Sequence, residues 1–571
     1  MRGFQAFRTP ARAVTWADYD GLPVRYPVEQ FNESERALLL PHFSNLDRPV
    51  FALTNLPETV KGALFARYSR YPGTLRRLFL EEFAEEIPQG GRPFEGEEGE
   101  RAAGLYERVF VGYGDDSIAQ VGGAHLACEW VSNILTKVLQ RGRLAAYLEQ
   151  STRYIPYDTP MPGADGGAGG GYRYYGDEEL GPSYADAMDE LFGIYSRSLE
   201  QVQGWAAERW PRGDEPERAW EGSVRAKALD LLRGLLPAAT LSHVGMFASG
   251  QAYEQLLLRM MASPLPEARS FATMILEELK KVMPSFVSRV ERPDRGGEWI
   301  AYLEQRREAT ERWVSRLGLD GAPASDAPSV ELIDVQGGEE ELLASSLFES
   351  ASVSERETLE RVRSLPPDEL GEVISELAGE RANRRHRPGR GWEAVRYRFE
   401  IVSDYGGFRD LQRHRMLTCQ WQRLSPHLGA GVPDEVREAG AGDEYERALE
   451  ISRKEFERLE TAGLKAAAPY ALCLGYRIRY VLDLNAREAM HLIELRSGRE
   501  GHPTYRAVAQ AMHERIADVH PRIAAAMRHV DSSSEPRLER IMSEIRTHRK
   551  KLEAERASEH SDAPPGVSAL G

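Results

Sequence analysis

The sequence predicts two α+β domains in tandem, helix-rich overall, on the basis of three observations. A chain of 571 residues is longer than a single hydrophobic core usually serves. One order of elements occurs twice along it. Three short segments rich in β-branched and aromatic residues, FVSRV, RYRFEIV and YRIRYVLDL, are strand candidates among longer segments with helical periodicity.

The repeated order begins with an apolar segment that leads into an arginine-rich motif. A long variable region, a proline and an amphipathic helix ending in Leu-Arg follow in both halves. These elements stand at 119–139, Pro237 and Arg259 in the first half, and at 395–411, Pro469 and Arg496 in the second. A period this long indicates duplicated domains rather than a solenoid, whose repeats span roughly 20–50 residues.

Segments of low complexity set the expected boundaries. Residues 318–330 are rich in Gly, Pro, Ala and Ser and predict a linker between a domain at 1–317 and a second domain at 331–550. The last residues, 551–571, predict a disordered tail. Residues 161–171 predict a flexible loop, which lacks the G-x-x-x-x-G-K-[ST] pattern of a phosphate-binding loop.

Composition narrows the expected partners and compartment. The formal net charge of −16 disfavours binding to nucleic acid. Six arginines nonetheless lie within 384–398, and such a local cluster suits a discrete anionic ligand; RNA binding through this stretch is a weaker alternative. No apolar run reaches the roughly 20 residues of a membrane helix, and the N-terminus lacks a secretory signal. The three cysteines show no CxxC spacing, so a cytoplasmic location is expected.

Two stretches carry the residues that indicate chemistry, 140–154 (QRGRLAAYLEQSTRY) and 412–426 (QRHRMLTCQWQRLSP). In the first, Glu149, Ser151 and Arg153 are spaced by two, so in extended backbone their side chains point to one face. A carboxylate, a hydroxyl and a guanidinium then converge on one small polar ligand, such as a nucleotide with an imide ring and a phosphate. The alternative is a solvated polar strand.

Superimposed, the two stretches resemble the signature R-H-R-x-x-S-x-N-E-x-S-x-R-Y of the flavin-dependent thymidylate synthases, the ThyX family. The first has Gly142 in place of the histidine but keeps Arg141, Arg143, Glu149, Ser151, Arg153 and Tyr154. The second keeps Arg413, His414 and Arg415 but replaces the later Glu, Ser, Arg and Tyr with Trp421, Arg423, Ser425 and Pro426. The resemblance implies two tandem domains of this family, each a mixed sheet with packed helices.

The resemblance also implies binding roles that differ between the halves. The residues that match the family's dUMP-binding positions are Glu149, Ser151, Arg153, Arg233 and Arg259. Those that match its FAD-binding positions are Arg413, His414, Arg415, Asn485 and Arg487. Secondary candidates are Arg141, Arg143, Tyr154 and Arg496. Because each half keeps a different set, we expect the halves to complement each other in composite sites.

The reaction that the resemblance implies is reductive methylation of dUMP to dTMP, with methylenetetrahydrofolate and NADPH as co-substrates and FAD as cofactor. No enzyme nucleophile is expected, since no histidine neighbours Ser151 in sequence. The expected assembly is a homodimer that forms a pseudo-tetramer. The alternative is a non-catalytic descendant that binds a nucleotide or flavin for a regulatory or scaffolding role.

One further motif competes with this interpretation. The spacing Glu488-x-x-His491-x-x-Glu494 resembles the Glu-x-x-His of di-iron bundles. Such sites need a second helix of the same kind, and the sequence has none in a matching context. The polar flank of an amphipathic helix explains these residues, so no metal site is expected.

Overall fold

The structure is a computed structural model that describes residues 14–19, 22–84, 119–120, 122–161, 171–321 and 327–561. Two four-stranded sheets, one in each half, dominate it, and a separate two-stranded hairpin lies near the start. The strands are β1 (Val14–Tyr19), β2 (Leu22–Glu29), β3 (Val50–Leu53), β4 (Gly123–Ser132), β5 (Ala145–Glu149), β6 (Leu241–Ser249), β7 (Ser329–Gln336), β8 (Arg396–Asp404), β9 (Thr418–Trp421) and β10 (Arg477–Asn485).

The two larger sheets repeat one topology. The first has the order β3-β4-β6-β5 and the second the order β7-β8-β10-β9. Neighbouring strands in both are antiparallel, so the expectation of mixed sheets is corrected. The predicted α+β class with a two-domain repeat is confirmed.

Helices surround both sheets. They are α1 (Glu33–Leu39), α2 (Glu58–Tyr68), α3 (Leu75–Glu82), α4 (Asn133–Leu139), α5 (Pro182–Arg209), α6 (Glu217–Leu232), α7 (Gly250–Met261), α8 (Pro266–Val282), α9 (Pro284–Val287) and α10 (Glu298–Arg316) up to the linker. After it come α11 (Glu339–Phe348), α12 (Glu355–Val362), α13 (Pro367–Ala378), α14 (Tyr405–Leu411), α15 (Asp434–Glu438), α16 (Gly442–Thr461), α17 (Ala486–Arg496), α18 (Pro503–Val519), α19 (Pro521–Ala525) and α20 (Ile541–Ser561).

Equivalent capping residues end the inner strands and begin the helices that follow. Ser132 and Asp404 cap α4 and α14, while Ser249 and Asn485 cap α7 and α17, each accepting a hydrogen bond from a backbone N–H in the first turn. The strand candidates RYRFEIV and YRIRYVLDL are confirmed as parts of β8 and β10. FVSRV is not a strand: Pro284 starts a helical turn just before it, which the fixed φ of proline favours.

The halves are joined through the two equivalent loops that precede β6 and β10. Ala238 N–H donates to the Leu472 carbonyl at 2.7 Å, and Gly475 N–H donates to the Gly234 carbonyl at 2.9 Å. Gly234 permits this approach, because a Cβ there would meet Tyr445 Oη at 1.9 Å. One hydrophobic core runs through both halves, so the repeat folds as one body around the loop contact.

Two of the expected boundaries differ from the structure. Strand β7 begins at Ser329, inside the predicted linker. Residues 551–561, predicted as part of a disordered tail, continue α20, which packs against α6 of the first half. Residues 162–170 of the glycine-rich loop, 322–326 of the linker and 562–571 of the tail lie outside the described residues. Among the described helices, none is long and apolar enough to cross a bilayer.

Candidate functional site

A cavity of about 300 Å³ lies between the halves and takes its walls from both motifs. Seven of its lining residues are arginines and two are acids, so it suits an anionic ligand. The first half contributes Ser69, Arg70, Gln140, Tyr147, Leu148, Glu149, Ser151, Thr152, Arg153, Tyr154 and Arg233. The second half contributes Arg409, Asp410, Arg413, Arg415, Arg496 and Tyr505.

The first motif reaches this cavity through a turn. Strand β5 ends at Glu149, and the N–H of Tyr154 donates to the carbonyl of Ser151 at 3.3 Å. The expectation that Glu149, Ser151 and Arg153 share one face of extended backbone is wrong, because the chain leaves the strand after Glu149. All three side chains nevertheless line the same cavity.

Glu149 binds cations from both halves. Its carboxylate accepts hydrogen bonds from Lys137 Nζ at 3.0 Å, Arg409 Nη2 at 2.5 Å and Arg413 Nη2 at 3.1 Å. Burial alone would raise the pKa of Glu149, but these three cations outweigh it and hold the pKa well below its usual range. Burial, together with the two neighbouring guanidinium groups, lowers the pKa of Lys137 to about 8. Glu149 therefore stays ionised and fixes the two arginines of α14 and of the loop that follows it.

Arg153 is anchored to a second buried carboxylate. Its Nε and Nη2 donate to the two oxygens of Asp230 at 2.7 and 2.6 Å, and Nη1 donates to Tyr505 Oη at 2.8 Å. Nη2 also donates to the Glu500 carbonyl at 3.2 Å. These contacts use all but one of its N–H donors, and the remaining one, at Nη1, is available to a ligand.

Two other arginines of the cavity keep buried donors without an acceptor. Arg233 Nη1 donates to Asp410 at 3.0 Å, while its Nη2 has no partner among the described residues. Arg409 Nη2 is bound to Glu149, while its Nε lacks a partner within the same described part of the chain. A buried donor without an acceptor is costly, so both atoms indicate a missing acceptor in the cavity.

The three side chains of the Arg-His-Arg triplet in the second half do not all face the cavity. Arg413 and Arg415 line the cavity, and the guanidinium of Arg415 lies 5.7 Å from the centre of the Tyr147 ring. His414 points elsewhere: its Nδ1 lies 2.9 Å from Glu488 Oε1, and its Nε2 accepts from Arg496 Nε at 3.0 Å. Burial lowers the pKa of His414 to about 4, so the ring is neutral at pH 7.

Three more of the sequence-predicted site residues do not line the cavity. The Asn485 side chain caps α17 by accepting from the Glu488 N–H at 2.9 Å. Arg487 Nε donates to the Pro388 carbonyl at 2.9 Å. Arg259 is largely buried beside Tyr147, and burial lowers the pKa of its guanidinium.

The remaining secondary candidates connect the two motifs or border the cavity. Arg143 Nη2 donates to Thr418 Oγ1 at 2.9 Å, and the Arg141 guanidinium lies 5.1 Å from the centre of the Trp421 ring. Tyr154 and Arg496 line the cavity. The first motif thus contacts β9 of the second directly.

One group of side chains has the geometry of a metal site. Candidate ligand atoms of His414, Glu488 and His491 lie within 4.8 Å of one another. The hydrogen bonds of Glu488 to both rings account for this arrangement. The Arg496 guanidinium beside His414 adds a positive charge that opposes a cation.

Sequence reasoning missed several cavity residues. Arg409 lies in α14, only four positions before Arg413, and this closeness to the triplet could have indicated it. Ser69 and Arg70 follow α2 in a part of the chain without a motif, and Tyr505 lies in α18. Only the fold brings these three to the cavity.

Comparisons with known proteins agree with this duplicated architecture. The family model described as thymidylate synthase complementing protein matches residues 74–285 and 338–522. A UPF0159 protein of Chlamydia muridarum is 36% identical over 531 residues, covering 90% of this chain and 98% of that protein. A UPF0159 protein of Thermoplasma acidophilum is 30% identical over 522 residues, covering 85% of this chain and 98% of that protein.

Among solved structures, the chain has a similarity to the UMP/dUMP methylase PolB of Streptomyces cacaoi bound with 5-Br dUMP. The match has 19% identity and a TM-score of 0.29, and covers 38% of this chain and 100% of that one. The family assignment depends on the two matched segments, one in each half, and on the full-length relatives. The chain therefore belongs to the thymidylate synthase complementing protein family.

Proposed function

We propose that the protein is a flavin-dependent thymidylate synthase that methylates dUMP to dTMP at the cavity between its halves. Methylenetetrahydrofolate is the one-carbon donor, NADPH the reductant and FAD the cofactor in this proposal. The observation that carries it is the convergence of both incomplete motifs on one arginine-rich cavity.

The donor pattern of the cavity supports a nucleotide phosphate as ligand. Arg233 Nη2 and Arg409 Nε are buried without an acceptor in the described residues, and Arg153 keeps one donor at Nη1. Guanidinium groups bind phosphate oxygens through charge-assisted hydrogen bonds, each worth roughly 1.5–3 kcal/mol. In the proposed complex these three arginines bind the dUMP phosphate.

Two buried carboxylates, those of Glu149 and Asp230, hold arginines of the cavity in place. Glu149 stays ionised and holds Arg409 and Arg413, and Asp230 holds Arg153 through two hydrogen bonds. Because both carboxylates are buried and already paired, the arginines need little reorganisation when the anion binds. Ser151 is assigned to dUMP binding.

Only some of the residues that match the family's FAD-binding positions are placed to contact a flavin nucleotide. Arg413 and Arg415 line the cavity and have the chemistry to bind a pyrophosphate. His414, Asn485 and Arg487 are engaged by protein groups, so we assign them a positioning role. FAD, when bound, would carry the hydride, and the residues of this chain would bind and orient the reactants.

We further propose that two chains associate into a pseudo-tetramer. Large apolar side chains are exposed on β6 and on the segments that come just before β5 and β9. Leu144 is 74% exposed, Met416 is 72% exposed and Phe247 is 43% exposed. Such a group of apolar side chains is typical of an interaction surface. Light scattering of the purified protein tests this association.

The test of function is tritium release from 5-tritiated dUMP in the presence of the folate, NADPH and FAD. Release above buffer, together with a flavin absorbance spectrum, is expected. Arg415→Ala should weaken FAD binding by about tenfold or more, since it removes a charge-assisted contact. The matched control is Arg423→Ala, which lies in the same motif but pairs with Glu460 outside the cavity. Absence of release from FAD-saturated protein would overturn the enzyme proposal.

The engagement of His414, Asn485 and Arg487 by protein groups favours one second candidate, a non-catalytic nucleotide-binding descendant. This candidate predicts dUMP binding without tritium release. Titration of dUMP by calorimetry beside the activity assay distinguishes the two.

A further inference from the structure

We propose that a second cleft, distinct from the cavity between the motifs, binds a nucleotide and that its occupancy affects Arg153. The cleft has a volume of about 570 Å³ and lies between the α5–α6 connection and the C-terminal segment. This volume is within the range of small-molecule sites, roughly 300–1,000 Å³.

Indole rings form one wall of the cleft. Trp210 and Trp220 both line it, and the Trp220 Nε1–H donates to the Trp210 carbonyl at 2.8 Å. The Trp205 ring packs edge-on against Trp210 with centroids 5.4 Å apart, which fixes the ring that faces the cleft. Leu538 and Ile541 close the apolar side. Indole rings are surfaces on which a nucleotide base stacks. The Arg209 guanidinium and the Lys227 ammonium lie 5.6 and 5.3 Å from the centre of the Trp210 ring, so a base that stacks there displaces the exposed Arg209 side chain.

Arginines supply the complementary part of the site. Arg209, Arg499, Arg537 and Arg546 all line the cleft. The Nε of Arg537 is buried and has no acceptor among the described residues, although its Nη2 binds Ser533. An unpartnered buried guanidinium donor indicates a missing anionic or carbonyl acceptor, which the phosphates of a nucleotide would provide.

The acids of the cleft are already engaged. Glu500 pairs with Arg546, Glu539 accepts from Lys227 at 2.8 Å, and Glu215 accepts from the Gly213 N–H at 2.9 Å. Because Glu500 and Glu539 are paired with cations, these two carboxylates repel a bound anion less than free carboxylates would. The combination of indole faces with guanidinium groups favours a nucleotide over a purely apolar ligand or a bare anion.

The C-terminal wall of the cleft lies outside the matched family segments. Those segments end at residue 522, whereas the cleft uses residues 537–546. The C-terminal segment reaches the first half because α20 packs against α6. The site therefore depends on an extension that the family match does not cover.

Three hydrogen bonds, made by Glu500 and Arg540, join the cleft to Arg153 and its partner Asp230. The Glu500 carbonyl accepts from Arg153 Nη2 at 3.2 Å, while the Glu500 side chain lines the cleft. Arg540, within the cleft-lining segment, donates to the Arg153 carbonyl at 3.1 Å and to Asp230 at 3.3 Å. A ligand that moves either segment changes the anchoring of Arg153. This coupling rests on the proposed function, because it assumes that dUMP binds at Arg153, whereas nucleotide binding in the cleft does not.

The test uses the full chain saturated with dUMP and titrated with dTTP by calorimetry. One dTTP per chain is expected. Trp210→Ala and Arg537→Ala should each weaken dTTP binding roughly tenfold, the scale of one lost stacking or phosphate contact. Arg209→Ala, an exposed site that leaves the core intact, serves as a further variant with the same expected direction. Trp313→Ala, on the exposed helix α10, is the matched control and should change nothing.

Inorganic tripolyphosphate is the second probe, and it should bind at least tenfold more weakly than dTTP because it cannot stack. Equal binding of both, or dTTP affinity that all three cleft variants leave unchanged, would overturn the nucleotide site. Saturating dTTP should also change the dUMP dissociation constant by about fivefold, and dUMP should change that of dTTP by the same factor. An unchanged dUMP constant overturns the coupling.

The outcomes separate this inference from the proposed function. If tritium release is absent but dTTP binding still depends on Trp210, the cleft stands and the thymidylate synthase proposal fails. If release is present and dTTP does not bind to dUMP-saturated protein, the proposed function stands and the cleft inference fails.

Discussion

The two copies of the motif occupy equivalent places in equivalent sheets, yet their side chains have different surroundings. After β5 the first motif turns inward, so Glu149, Ser151 and Arg153 line the cavity. After Arg415 the second motif enters the edge strand β9, where Trp421 stands in place of the glutamate and packs beside Arg141. The first copy supplies ligand-facing polar groups at its end, and the second supplies them at its beginning.

This difference shows how a duplicated chain divides one site between its copies. The position that binds cations in the first half, Glu149, is a structural aromatic in the second. The cations that Glu149 binds include Arg409 and Arg413 of the second half. Loss of the carboxylate in one copy is therefore compatible with a complete cavity, because the retained carboxylate binds Lys137 of the first half and both arginines of the second.

The largest expected effect comes from removing the charge at Glu149. Glu149→Gln leaves the buried cations Lys137 and Arg409 without their anion, and breaking a buried ion pair costs roughly 3–5 kcal/mol. Urea denaturation should show this loss in the free energy of unfolding. Glu357→Gln, which breaks an exposed pair with Arg361, is the control and should cost about 1 kcal/mol or less. A loss as small as that of the control would contradict the claim that Glu149 holds cations from both halves.

Each half also has, at the end of an inner strand, a buried carboxyl group hydrogen-bonded to a hydroxyl, but the two groups are carried by different positions. In the first half Ser132 caps α4 and its Oγ donates to Glu267 at 2.6 Å. In the second half the residues are exchanged, with Asp404 as the cap and Thr504 as the hydroxyl partner. Burial raises the pKa of Glu267 to about 7, despite hydrogen bonds from Ser132 and Tyr470 that lower it.

The raised pKa predicts the pH dependence of stability. Between the unfolded value of about 4.5 and the folded value of about 7, the folded state binds more protons, so stability falls as pH rises through this window. The loss is about 3 kcal/mol between pH 4.5 and pH 8. Thermal melts of the wild type and of Glu267→Gln measure it, and the variant should lack this component. Equal pH slopes in both proteins would contradict the assignment to Glu267.

A smaller effect is expected for dUMP binding at the first motif. Arg153→Ala removes the donor that remains free at Nη1 and should weaken dUMP binding by about tenfold or more, while flavin remains bound. A dUMP titration followed by flavin absorbance measures the change. The control is Arg143→Ala, whose side chain bonds Thr418 and does not line the cavity. Identical titration curves for Arg153→Ala and wild type would show that Arg153 of the first motif does not bind dUMP.

The smallest effect is expected from repairing the first Arg-His-Arg triplet. Gly142→His restores its sequence, but at the equivalent helix start the first half has the cap Ser249 and then Gln251, where the second has Asn485 and Arg487. A Cβ at residue 142 would also lie 2.8 Å from Tyr147 Oη, so the tyrosine must move. We predict no gain in the rate of tritium release. A clear gain would show that the copies are still interchangeable.

The sequence predicted the duplication, and it singled out several of the residues that line the cavity. The spacing of the motifs predicted that both halves have the same order of elements. Four of the arginines singled out in the sequence line the cavity: Arg153, Arg233, Arg413 and Arg415. It failed at His414, whose place in the triplet does not reveal that its ring bonds Glu488 and Arg496. It also missed Tyr505 and Asp230, because their proximity to Arg153 depends on packing between distant segments.

The most direct test of the central claim, one composite cavity built by both halves, is a double-mutant comparison of tritium release. Arg153→Ala and Arg413→Ala should each lower the rate of thymidylate synthesis by an order of magnitude or more. The double variant should be no worse than the more damaging single one, because both changes disable the same site and such effects are strongly non-additive. If the two losses instead multiply, the two arginines contribute independently and not as one unit. If either single variant keeps about half of the activity with unchanged dUMP affinity, the halves act as separate sites. Either result contradicts the account.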